Sequence, residues 1–135
     1  MEEKISKEMA QQELERFLLK ARIKKDAPRS QEMEEKFLNN CDNFIYEVMR
    51  GGITVDEEGW PAVHTESDFL SQITWSRRPN GTDRCASLDK NQGVSAQYAW
   101  VGSVTGKPPG ALRKLDDADW EVVWLVHELF LGNRT

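Results

Sequence analysis

Apolar residues recur at steps of three and four along the first third of the chain. Ala10, Leu14, Phe17, Leu18 and Ala21 line one side of a predicted helix, and the hydroxyl of Ser6 suits its N-cap. The helix is expected to fade near Lys24 and Lys25, because Ala27 precedes Pro28 and the residue before proline avoids helical angles. A second stripe follows: Met33, Phe37, Cys41, Phe44, Ile45 and Val48. Ser30 is its expected cap, Glu32, Glu34 and Glu35 occupy the first turns favoured by the helix dipole, and Gly51-Gly52 stops it. Two amphipathic helices joined by a short link favour an antiparallel pair over residues 1–52.

The period then changes. Ile53-Thr54-Val55, the turn-like Asp56-Glu57-Glu58-Gly59 and Trp60 to Val63 predict a short hairpin, with Pro61 confining the second strand to a sheet edge. Phe69 to Trp75 fits a strand or a helix. Arg77 to Gly81 reads as a turn, supported by Asn80-Gly81. Thr82 to Lys90 is ambiguous, with Asp83 as a candidate cap. From Gly93 onwards Val94, Tyr98, Val101 and Val104 mark a helix, broken by Gly106, Pro108 and Pro109, and Ala111 to Leu115 fits one further helical turn. Asp116 is the expected cap of the last helix. Trp120, Val123, Trp124, His127, Phe130 and Leu131 form one stripe on it, and Val122, Leu125, Val126 and Leu129 make it apolar over most of its circumference, until Gly132 ends it. Such a helix is buried in a core or an assembly. The expected fold is mainly α: a small helical domain with a short β-hairpin element between the N-terminal helix pair and the C-terminal helices, residues 53–135 packing with 1–52 as one domain.

Composition narrows the function classes. The chain has 135 residues, 39% hydrophobic and 30% charged, with a net charge of −5, a balance unlike the basic faces of nucleic-acid binders, although Lys20 to Lys25 is locally basic. No run of about 18 apolar residues exists, so no membrane span is expected. Met1 to Lys4 opens no apolar leader segment, so secretion is not expected either. Cys41 and Cys85 then read as reduced thiols, and the triplets at Asn80 and Asn133 as chance matches to the glycosylation signal.

Candidate chemistry is sparse. Gly102 to Lys107 suggests a phosphate loop, but only three residues separate its glycines and Pro108 stands where a hydroxyl residue would ligate magnesium. Asp116, Asp117 and Asp119 lack the spacing of a calcium loop and fit helix capping. His127-Glu128 begins like a zinc-protease helix, but Leu131 occupies the second histidine position. His64 lies near Glu66 and Asp68 without an evident nucleophile. No cofactor or metal is expected, and no catalytic residue. Trp60, Trp75, Trp100, Trp120 and Trp124 are more than a small core needs. Core filling is the simpler role for any one of them, and binding is the other, since tryptophan is enriched at interface hot spots. Trp100, Trp120, Trp124, His127 and Phe130 are therefore the expected partner-binding or self-association residues.

Three motifs in order resemble the tail assembly chaperone family of long-tailed bacteriophages. They are Ile73 to Asp83, a strand-like stretch leading through basic residues and Pro79 to an aspartate; Val101 to Leu112, a helix followed by Thr105-Gly106, prolines and a leucine; and Leu115 to Trp120, leading to a helix that ends in Phe130-Leu131. The resemblance covers residues 69–132, about half the chain, and a helical segment of some fifty residues precedes the hairpin. It implies a non-enzymatic protein of the host cytoplasm, absent from the mature virion, that binds the tape measure protein and keeps it soluble during tail assembly. It also implies a homo-oligomer and a frameshifted longer form, with no nucleic acid or membrane partner. Another phage morphogenesis protein, such as a head–tail connector, and a small nucleic-acid-binding regulator built on the first two helices are the alternatives.

Overall fold

The computed structural model describes residues 5–88 and 94–132. Met1 to Lys4, Lys90 and the Asn133 triplet lie outside them. Helix α1 (Lys7–Ala21) begins where the Ser6 hydroxyl accepts the N–H of Met9 at 3.2 Å, and α2 (Gln31–Arg50) begins in the same way with Ser30 and Met33. The expected stripes face inward: Ala10, Leu14, Phe17, Leu18 and Ala21 of α1 are buried, as are Phe37, Cys41, Phe44, Ile45 and Val48 of α2.

Helix α1 ends at Ala21, earlier than the basic run suggested. Arg22 takes the left-handed conformation (φ 60°), its N–H bonds Leu19 O, the N–H of Ile23 returns to Leu18 O, and Ile23 is thereby buried. Gly51 closes α2 with the same geometry (φ 87°), but there the residue is one that adopts it freely. Replacing Arg22 by glycine is expected to raise the unfolding free energy by about 1 kcal/mol, checked by urea denaturation.

The hairpin is part of a three-stranded antiparallel sheet, β1 (Ile53–Val55), β2 (Pro61–His64) and β3 (Gln72–Thr74), in the order β1-β2-β3. The undecided segment is therefore a strand, and β2 is central rather than an edge. Pro61 is tolerated because it is the strand's first residue and is used only as an acceptor: its carbonyl takes the N–H of Trp75 at 3.1 Å. Asp56 holds the β1–β2 turn, its carboxylate accepting the N–H groups of Glu58 and Trp60, each at 2.9 Å.

Asn80-Gly81 opens a helix rather than a turn. In α3 (Gly81–Leu88) the cap is Asn80, not Asp83: the Asn80 side chain accepts the N–H of Thr82 at 2.9 Å and of Asp83 at 3.3 Å, and the Asp83 carboxylate accepts the N–H of Asn80 at 2.8 Å. The fully buried Asp83 carboxylate also takes both terminal nitrogens of Arg77, at 2.6 and 2.8 Å, and the hydroxyl of Ser103 at 2.6 Å, clasping α3 to α4 (Val94–Thr105). The following single turn, α5, is Pro109–Leu112, starting before Ala111 because Pro108 and Pro109 suit a helix start. Helix α6 (Asp117–Phe130) is capped as expected, Asp116 accepting the N–H of Asp119 at 2.9 Å.

The result is the expected mainly α architecture, six helices and a small sheet among the described residues. The core runs from α1 and α2 through Ile53, Val63, Ile73 and Trp75 to α4 and α6. At its centre Phe17 stacks on Phe44 (5.3 Å between centroids) and meets the edge of Phe130 (5.1 Å), with Trp60 and Trp75 at 6.4 and 6.3 Å from Phe130. Arg29 ties the α1–α2 link to the far end of the chain: its guanidinium bonds Gly132 O and lies 3.8 Å over the Phe37 ring. No helix among the described residues is long and apolar enough to cross a membrane.

Candidate functional site

The face that α6 leaves open is set by what packs against the helix. Val123, Leu125, Val126, His127, Leu129 and Phe130 are buried, which leaves Trp120 and Trp124 half-buried, one turn apart, with ring centroids 6.1 Å from each other. Tyr98 of α4 packs on Trp120 at 4.3 Å. Trp124 stacks on His127 at 5.1 Å, and Trp100 meets the His127 ring edge-on at 5.0 Å. The five rings form one continuous row.

The residues expected to meet a partner therefore divide. Trp120 and Trp124 line an open groove. Trp100 is half-buried and lines a 180 Å³ notch with Met33, Phe37 and Leu131. His127 and Phe130 are inside, His127 within the ring row and Phe130 in the separate nest around Phe17, so their surfaces are taken up by the protein itself. A helix apolar nearly all round gives no local sign of which sector is covered.

The groove has a volume of about 920 Å³ and runs between α2 and α6, closed at one end by Gly51-Gly52 and by the end of β2. Tyr46, Glu47 and Arg50 supply the α2 wall. Asp116, Asp119, Glu121 and the two tryptophans supply the α6 wall, and His64 to Glu66 the end. Tyr46, Glu47 and Arg50 lie outside the α2 apolar stripe, so periodicity did not mark them. The available signal was an aromatic on a polar face, and Tyr46 is 56% exposed.

Carboxylates dominate this groove. Glu47 pairs with Arg50 at 3.1 Å, and Glu128 reaches Lys36 at 2.5 Å. Asp119 accepts the backbone N–H of Glu66 at 3.2 Å. Burial pushes the Glu47 carboxyl up against the opposing pull of Arg50, and burial also pushes Asp119 up, with Asp116 and Glu66 adding like charge.

Among the described residues, His64, Asp116 and Gly102 each have a structural place. His64 sits at the groove's end with its Nε2 2.8 Å from Thr54 Oγ1, a contact that orients the ring along the sheet. Asp116 caps α6. Gly102 lies within α4, where an added Cβ would stand 2.6 Å from the carbonyl oxygen of Lys107, so this glycine permits the chain to fold back on α4. Among the described residues no group of three or more His, Cys, Asp or Glu side chains could hold a metal ion.

The cysteines are free and unlike each other. Cys41 is buried and its thiol is pushed up to about 12 by that burial, whereas Cys85 is exposed. A thiol reagent is expected to label Cys85 in the native protein and Cys41 only on unfolding, as read by mass spectrometry. Equal labelling rates would contradict the burial.

Compared with protein-family models, with curated proteins and with solved structures, the chain finds no match in any of the three.

Proposed function

We propose that this protein works by binding another protein in the α2–α6 groove, as an assembly chaperone rather than an enzyme. One observation carries the proposal: two half-buried tryptophans and an exposed tyrosine wall an open groove that nothing in the described chain fills. Tryptophan and tyrosine give large rigid contact area and recur at interface hot spots. The absence of a metal-holding cluster and of a partnered nucleophile among the described residues leaves binding as the simplest use of the groove.

The resemblance of residues 69–132 to tail assembly chaperones supplies the partner class. On that basis the partner is the tape measure protein of a phage tail, held soluble in the host cytoplasm until the tail tube forms around it. A long helical protein exposes apolar stripes before assembly, and a groove with indole walls can cover one.

Co-expression tests this. The intact protein is expected to raise the soluble fraction of the tape measure protein severalfold, and the Trp120→Ala/Trp124→Ala double variant is expected to lose that effect while remaining folded by circular dichroism. No gain in solubility with the intact protein would overturn the proposal.

A further inference from the structure

We infer that the groove takes a partner segment bearing arginine or lysine side chains, held between the carboxylates and the aromatic rings. This inference rests on the groove being the binding site and adds the chemistry of its occupant.

Charge is the first argument. Glu47 and Glu128 have cations of this chain beside them, but Glu66, Asp116, Asp119 and Glu121 form no ion pair among the described residues. Four like charges around one groove repel an acidic segment or a nucleic acid and draw a basic one. A neutral apolar helix would cover the tryptophans yet strip water from these carboxylates without offering donors, which is costly. Burial raises the Glu47 and Asp119 carboxyls, so both sit where water is partly withdrawn and an incoming cation would be weakly screened.

The second argument is the geometry already in place. The chain's own Arg50 lies with its guanidinium carbon 5.3 Å from the centre of the Tyr46 ring while its nitrogen bonds the Glu47 carboxylate at 3.1 Å. A guanidinium held by a ring face and a carboxylate together is thus present on the α2 wall. The α6 wall sets out the same two components, Trp120 and Trp124 beside Asp119 and Glu121, with no cation of this chain in ion-pair contact with either acid among the described residues. Tryptophan is the strongest of the side-chain rings for a cation. The groove is partly open to solvent and its lining spans from Asn40 of α2 past the end of β2 to Glu128 of α6, which suits a peptide segment rather than an enclosed small molecule.

The experiment uses the full chain and three amphipathic peptides that share one leucine-bearing face and differ only in carrying arginine, glutamine or glutamate on the other. Calorimetry gives each affinity, and the indole N–H signals of Trp120 and Trp124 in the NMR spectrum, assigned with Trp→Phe variants, give the location. The arginine peptide is expected to bind and to move both indole signals. The glutamine peptide should bind about tenfold more weakly and the glutamate peptide weaker still. The triple variant Glu66→Gln/Asp119→Asn/Glu121→Gln should lose about tenfold for the arginine peptide, whereas Glu57→Gln/Glu58→Gln, outside the groove, should change it less than about twofold. If the glutamine peptide binds as tightly and moves the same indoles, the cationic preference is overturned while the groove stands as a binding site. If the arginine peptide binds without moving either indole, the groove is not the site and both fall. An unchanged affinity in the triple variant, or no binding by the arginine peptide, overturns the inference.

Discussion

Replacing Phe130 by alanine is expected to lower the unfolding free energy by about 3–5 kcal/mol, measured as a fall in the denaturant midpoint at unchanged slope. The size follows from where the ring sits. Phe130 is in edge contact with Phe17, which in turn stacks on Phe44, and it lies beside Trp60 and Trp75. Removing it opens a void at the junction of α1, α2, the sheet and α6, where packed neighbours cannot collapse without moving whole elements. For a domain whose total stability is of order 5–15 kcal/mol, that loss is a large fraction. A loss below about 1 kcal/mol would mean that the ring is not buried in this nest. The contrast with Trp120 and Trp124 is informative: they are expected to affect partner binding, and Phe130 to affect folding.

Asp83 should give the second large effect. Its carboxylate takes Arg77 through two hydrogen bonds, the Ser103 hydroxyl and the Asn80 N–H, all while fully buried. Alanine there leaves four donors without their acceptor, of which the half-exposed Arg77 can return to water. The expected cost is about 2–4 kcal/mol. Arg77, Ser103 and Asn80 hold the Asp83 carboxyl down at about 2, from an ordinary value of 3.8. A carboxyl lowered by folding stabilises the folded state fully above its unfolded value and loses that contribution as pH falls through the folded one. The stability advantage of the native chain over Asp83→Ala is therefore expected to be constant above about pH 5 and to shrink between pH 4 and pH 2. An advantage that does not change with pH over that window would show that the carboxylate charge is not what clasps α3 to α4.

Helix starts were legible because capping is local. Ser6, Ser30 and Asp116 each bond the N–H three residues on, a relation visible in a four-residue window. The buried stripes of α1 and α2 were legible for the same reason, since a helix has one period. Most of what failed was nonlocal. The place of Pro61 depends on a third strand pairing from Gln72, eight residues beyond His64 in the chain, and no rule within the hairpin announces it. Asn80-Gly81 reads as a turn by itself. The reciprocal cap that makes it a helix start, Asn80 with Asp83, is local and was masked by the stronger turn signal; the nonlocal part is the Ser103 hydroxyl that holds the Asp83 carboxylate from α4. On α6 the periodicity shows one apolar row but not which of its aromatics are covered, because that is decided by the elements packed around the helix. The groove itself was out of reach: its α2 wall is the polar side of a helix more than sixty residues away from α6 in the chain.

Hydrogen exchange on the protein alone and in complex with its partner tests the central claim most directly. If the partner lies in the α2–α6 groove, amide exchange should slow in residues 43–52, 64–66 and 116–124, and stay unchanged around a second, mainly basic patch, which Arg16, Lys20, Arg77 and Arg78 line with Glu57 and Glu58. Slowing confined to that basic patch or to the α1–α2 face around Leu38, with residues 116–124 unaltered, would contradict the groove as the binding site.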